Sequence, residues 1–158
     1  MTVVVWRIAA DTPAYTSDDL SGEGASRTGG RWNSKGNAVV YTSKTVSLAC
    51  LETLVHLNAG GLPLNRYLVR VEVPDRTWAS RKVLTPDELP VGWDALPHGK
   101  VSITTGDDWI ASGTAALLEV PSVIVPEDAN VLINPAHADS AGVTATKVRR
   151  WTYDPRTR

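Results

Sequence analysis

The chain has 158 residues, 42% of them hydrophobic and 21% charged, which is the balance of a globular domain with a real core and no low-complexity or disordered character. A formal net charge of −1 excludes the broad basic surface of a protein held to nucleic acid by charge. No apolar run is long enough to cross a bilayer, and the opening residues lack the basic start and cleavage site of a signal peptide.

Thr2 to Ala9 reads as a β-branched, central strand. Asp11 to Gly36 is a long polar connection rich in Ser, Gly and Thr, a length that in a compact domain marks function. It contains Gly29-Gly30-Arg31-Trp32-Asn33, an arginine flanked by glycines. Ala38 to Ser43 forms a second strand, after which Ser43 or Thr45 caps a helix running to about Asn58 and stopped by Gly60-Gly61. Arg66 to Val73 alternates, with Tyr67, Val69, Val71 and Val73 on one face, as a half-exposed strand. Pro74 to Pro97 is irregular, with a short helix start at Thr85-Pro86. Thr105 to Leu118 reads as a second helix capped by Asp107 or Asp108. Leu118 to Val125 and Ala129 to Ile133 read as a hairpin turning at Pro126, and Lys147 to Tyr153 as a last, edge strand with Arg149 and Arg150 exposed. The expected class is α+β, one domain over residues 1–158.

The most informative residue is Glu52. It is the one formally charged side chain between Lys44 and Arg66, set among Leu48, Ala49, Cys50, Leu51, Leu54, Val55 and Leu57. A helical wheel places it between Leu48 and Val55 on the face expected to meet the core. A carboxylate buried there costs several kcal/mol unless it is paired or hydrogen-bonded. With Arg31 and Tyr41 arriving from neighbouring elements, it forms either a pocket for an anionic, ring-bearing ligand or a structural Arg–Glu pair, and the residues alone weigh these equally. Cys50 is the single cysteine, so no internal disulfide forms and a reduced, cytoplasmic setting is expected. His56, His98 and His137 are scattered, which argues against a zinc site, and there is no glycine-rich dinucleotide or phosphate loop. Six tryptophans and no phenylalanine suit either core or pocket walls.

The order of Trp6-Arg7-Ile8, Gly29-Gly30-Arg31-Trp32-Asn33, Val40-Tyr41-Thr42-Ser43, Leu48-Ala49-Cys50-Leu51-Glu52 and Val120-Pro121-Ser122 resembles the RES-domain family, as does the later Asn130-Val131-Leu132-Ile133-Asn134-Pro135-Ala136-His137. The resemblance runs from residue 6 to about residue 137 and leaves the 74–105 connection unmatched. It implies a fold akin to the ADP-ribosyltransferase toxins, a split and bent sheet with inserted helices and NAD in the cleft. It further implies a toxin that consumes NAD by hydrolysis or phosphorolysis, with phosphate as a possible co-substrate, restrained by an antitoxin carrying a helix-turn-helix domain. NAD is then substrate, and no resident cofactor is implied. By the same resemblance Glu52 stabilises the positive charge developing on the ribose. Arg31 grips phosphate or ribose, and Gly29 and Gly30 let the backbone come close. Tyr41 stacks on nicotinamide, Ser122 holds the ligand or orients Glu52, and Arg7 and Trp32 complete the NAD-binding set, Arg7 being equally readable as a solvated side chain. Two other readings stay open: a protein ADP-ribosyltransferase using the same pocket, and an RNA-directed module built on Arg7, Arg31, Arg66, Arg149 and Arg150.

Overall fold

The computed structural model describes residues 1–57 and 61–157. Its strands are β1 (Thr2–Ala10), β2 (Val40–Ser43), β3 (Arg66–Pro74), β4 (Lys82–Val83), β5 (Leu117–Pro121), β6 (Ala129–Ile133) and β7 (Thr144–Arg150). They form one seven-stranded sheet in the order β4-β5-β6-β2-β1-β3-β7. All neighbours are antiparallel except β4 and β5. Among the described residues four α-helices are inserted: α1 (Glu23–Thr28), α2 (Val46–Leu54), α3 (Asp75–Ala79) and α4 (Lys100–Ser112). The fold is α+β.

The register shows where the sheet is weakest. β1 and β3 pair continuously from Thr2↔Pro74 to Ala10↔Arg66, whereas β1 meets β2 at the single pair Trp6↔Ser43. The sheet is thus two paired units, β1–β3–β7 and β4–β5–β6–β2, joined at one position. A core of Val5, Val69, Val71 and Val73 from the first unit with Val40, Val131, Ile133 and Leu117 from the second holds one face together. The opposite face is divided. Ile8, Leu68 and Ala49 pack with Tyr153 on one side, and Trp32, Leu118, Val120, Leu132 and Trp109 pack on the other. α2 follows β2 directly across this division.

Several local expectations change for identifiable reasons. Thr45 is the cap of α2, its Oγ1 accepting the Leu48 N–H at 3.1 Å. The helix stops at Leu54, short of the expected end, so Val55 lies outside its buried stripe and is 58% exposed. Asn58 and Gly60 lie outside the described residues. α4 begins at Lys100, five residues before Thr105, and ends at Gly113 in the left-handed conformation, leaving Ala115 to Leu118 to the following turn and β5. Asp107 is no cap: its Oδ1 accepts the Ser34 N–H at 3.0 Å and the Asn37 Nδ2–H at 2.8 Å, tying α4 to the arginine-bearing loop. α1, α3 and β4 are further elements that periodicity does not reveal, each being at most six residues long. The alternating strand β3 also buries Leu68, because α2 and the C-terminal Tyr153 cover the face expected to be open.

Gly106 lets α4 meet the Trp32 backbone. A Cβ there would stand 1.7 Å from the Trp32 carbonyl oxygen. Gly106→Ala is therefore expected to lower unfolding stability by about 3 kcal/mol or more, since backbone must shift. Urea denaturation checks this, and a wild-type midpoint would show that the loop moves aside without strain.

Candidate active site

Glu52 sits on α2 where the two units of the sheet meet, half-buried. Its Oε1 accepts two hydrogen bonds, from Ser122 Oγ at 2.7 Å and from Asn130 Nδ2 at 2.8 Å. Ser122 follows β5 and is fully buried; its Oγ accepts the Ile124 and Val125 N–H groups at 3.1 and 3.2 Å, so its own proton is directed to Glu52. Asn130 is on β6 opposite Ser43 of β2, and the Ser43 hydroxyl donates to Asn130 Oδ1 at 2.7 Å. That bond fixes the amide so that its N–H₂ faces the carboxylate. The second oxygen of Glu52 accepts no hydrogen bond among the described residues.

Arg31 does not close an ion pair with Glu52 within 4.0 Å among the described residues, although the carboxylate charge acts on it. Its Nη1 donates instead to the carbonyls of Trp93 and Ala95, at 3.0 and 2.9 Å. Burial pulls the guanidinium pKa down, and Glu52, Asp94 and Tyr41 oppose that shift, so the group stays cationic. A structural Arg–Glu pair is not what holds Glu52.

Tyr41 borders the same site, on the face of β2 that packs with Trp32 and Leu132. Its hydroxyl donates to Asn33 Oδ1 at 2.6 Å and accepts the Trp32 N–H at 3.0 Å, while Asn33 donates to the Ala25 and Asn37 carbonyls. Burial raises the phenol pKa far above its ordinary value, so it remains a neutral donor. Gly30 is needed by this brace: a Cβ would stand 2.8 Å from the Tyr41 hydroxyl and 3.0 Å from Asn33 Oδ1.

Two of the residues assigned to NAD from the sequence stand elsewhere. The Trp32 indole is 3% exposed and stacks on Trp93 at 6.3 Å within the core cluster of Leu118, Val120 and Leu132. Arg7 pairs with Val69, and strand alternation puts both on the face of Val5, opposite the face where Ile8 meets α2. The charges acting on Arg7 are those of Asp19 and Tyr15, and burial lowers its pKa. The structure therefore brings together Glu52, Ser122, Tyr41, Gly30 and Arg31, and leaves Arg7 across the sheet. Sequence reading misses Asn130, Ser43 and Asn33 as site residues. All three lie within the motifs that carry the family resemblance, but no role follows from them until the β2–β6 register and the contact of Asn33 with Tyr41 are known.

Tyr41→Phe removes one hydroxyl and leaves the buried Trp32 N–H and Asn33 Oδ1 unpaired. The expected loss is about 1–3 kcal/mol in chemical denaturation, with the arginine loop exchanging its amide protons faster. Unchanged stability and protection would mean that the loop needs no brace from β2.

With that geometry in hand, the likeness to known proteins is informative. The family model described as RES domain matches residues 4–155. A Prs ADP-ribosylating toxin of Sphingobium sp. (strain YBL2) is 63% identical over 156 residues, covering 99% of this chain and 97% of that protein. A protein named Toxin Res from Pseudomonas putida is 38% identical, covering 98% of this chain and 99% of its own length. Another Toxin Res, from Yersinia enterocolitica, is 34% identical, covering 90% and 92%. The chain belongs to the RES-domain family.

Proposed function

We propose that this protein is a toxin that uses NAD as its substrate, breaking the nicotinamide–ribose bond and passing the ADP-ribosyl group to a protein acceptor. The observation that carries the reading is the asymmetric carboxylate: Glu52 is fixed through Oε1 by Ser122 and Asn130, while its other oxygen accepts no hydrogen bond among the described residues. Nicotinamide leaves as a neutral ring, so positive charge builds on the ribose. A carboxylate held in advance, in partly buried surroundings, stabilises that charge and binds a ribose hydroxyl through a charge-assisted bond. Since the leaving group starts cationic, no general acid is required. Arg31, still cationic and still carrying unused donors, contacts the diphosphate or a ribose, and the Tyr41 ring offers a stacking surface for nicotinamide. The fold this reading implies is that of the ADP-ribosyltransferase toxins, and the one-pair junction between β1 and β2 supports it.

The acceptor is chosen on the name of the 63% identical relative, an ADP-ribosylating toxin of Prs, which makes Prs the first acceptor to try. Hydrolysis to ADP-ribose or phosphorolysis with inorganic phosphate is the second reading, favoured by the wider family resemblance. Such an activity harms its own cell, and the relatives named Toxin Res support an inhibitory partner, an antitoxin with a helix-turn-helix domain. NAD and such a partner fit a cytoplasmic protein. No helix among the described residues is long and apolar enough to cross a membrane.

The test incubates purified protein with NAD alone, with phosphate, and with Prs, following all products by mass spectrometry. Release of nicotinamide with Prs gaining one ADP-ribosyl group is expected. Free ADP-ribose or its phosphate, with Prs unmodified, would move the assignment to hydrolysis or phosphorolysis. No nicotinamide in any mixture would overturn the NAD reading. In the same assay Ser122→Ala is expected to lower kcat roughly ten- to hundred-fold, because one hydrogen bond to a charged group is worth about 1.5–3 kcal/mol. An undiminished kcat would show that Asn130 alone fixes the carboxylate.

A further inference from the structure

The two donors that hold Glu52 are anchored in different ways. Ser122 is set by its own turn, through the N–H groups of Ile124 and Val125 two and three residues ahead. Asn130 is set from another strand. Among the described residues the one donor to its Oδ1 is the Ser43 hydroxyl, at 2.7 Å. An amide has nearly the same shape at its oxygen and nitrogen ends, so packing alone does not decide which end points where. Turned over, Asn130 would set Oδ1 against the Glu52 carboxylate, and the 2.8 Å hydrogen bond would give way to repulsion between two acceptors. Ser43 is 4% exposed, so water has little access to stand in for its hydroxyl. Ser43 also occupies the junction of the sheet. It pairs with Asn130 of β6 on one side and with Trp6 of β1 on the other, and Trp6↔Ser43 is the single pair between β1 and β2. A chain of neighbours thus runs from the junction to the carboxylate through Trp6, Ser43, Asn130 and Glu52.

We propose that Ser43 is a positioning residue for the reaction, holding the Asn130 amide with its N–H₂ on Glu52 and so tying the carboxylate to the junction between the two units of the sheet. The proposal rests on the NAD reading above. Ser43 acts through Asn130 and needs no contact with NAD. When Asn130 is mis-set, Glu52 keeps the Ser122 bond as its one fixed donor and can swing about it. The loss then falls on the transition state, where charge builds on the ribose and the carboxylate must already be in place. Binding of NAD in its ground state changes little.

The experiment is a double-mutant cycle on nicotinamide release from NAD in the presence of Prs. It compares the wild-type chain, Ser43→Ala, Asn130→Ala and the two together, with Ser43→Thr as the variant that keeps the hydroxyl. Near-UV circular dichroism verifies the fold of each. Ser43→Ala is expected to lower kcat about ten-fold with KM for NAD within about two-fold of wild type. Ser43→Thr recovers most of the rate, and Ser43→Ala adds no further loss once the Asn130 amide is gone. Losses that multiply in the double variant, a wild-type kcat in Ser43→Ala, or an effect confined to KM would overturn the proposal. A second readout needs no turnover: solvent exchange of the Asn130 side-chain amide protons by NMR, assigned by their disappearance in Asn130→Ala. Exchange is expected to quicken in Ser43→Ala, and unchanged exchange would overturn the positioning role whatever the activity. A wild-type chain that releases no nicotinamide would overturn the NAD reading, and amide exchange then decides the link from Ser43 to Glu52 by itself.

Discussion

Two hydrogen bonds converging on one oxygen of Glu52 give this structure its logic. A carboxylate in a half-buried helix, with no cation in contact, stands only if its desolvation is met by good donors. Ser122 and Asn130 are those donors, and each is itself locked, Ser122 by two backbone N–H groups and Asn130 by the Ser43 hydroxyl. The chain of bonds fixes one carboxylate oxygen and leaves the other without a hydrogen bond among the described residues. A direct bridge to Arg31 would have neutralised it; the carbonyls of Trp93 and Ala95 hold the guanidinium elsewhere. Separation of the two charges, each with its own partners, is what keeps both available to a ligand.

The sheet makes this arrangement possible through its incomplete junction. Strands that met along their whole length would fill the space between β1 and β2 with side chains from both. Here they share only Trp6↔Ser43, so α2 and the residues after β5 and at the start of β6 approach one another at the division. The joint between the units is secured on the other face by a continuous valine-rich core. Tyr41 extends the same economy of parts: its ring belongs to the core beside Trp32 and its hydroxyl holds the turn that presents Arg31.

Much of this is legible in the residues where local chemistry decides. The β-branched run of β1, the alternation of β3 and the Thr45 cap follow from propensity, period and capping. A lone glutamate in an apolar helix marks the site on the cost of burying its charge alone. What stays hidden depends on pairing between distant segments. Asn130 becomes a site residue only because β6 lies against β2 in a register that sets it opposite Ser43. Arg7 follows the family's opening strand, yet alternation shows only that it shares a face with Val5; that this face lies away from α2 is settled by tertiary packing. α1 has six residues and buries none of them, so it leaves no apolar period to detect. Asp107 resembles a helix cap, which shifts the expected start of α4 toward it. Its carboxylate is engaged instead by Ser34 and Asn37, more than sixty residues away along the chain, a contact only the tertiary fold creates.

The central claim is that the Glu52 charge acts on the departing nicotinamide and not on the binding of NAD as such. The most direct measurement pairs calorimetric NAD binding with nicotinamide release in Glu52→Gln, a change that keeps shape and an acceptor oxygen but removes the charge. Binding within about ten-fold of wild type together with a fall in release of at least about 100-fold is expected. Release at the wild-type rate, or a loss fully explained by weaker binding, would contradict the claim and return Glu52 to a structural role.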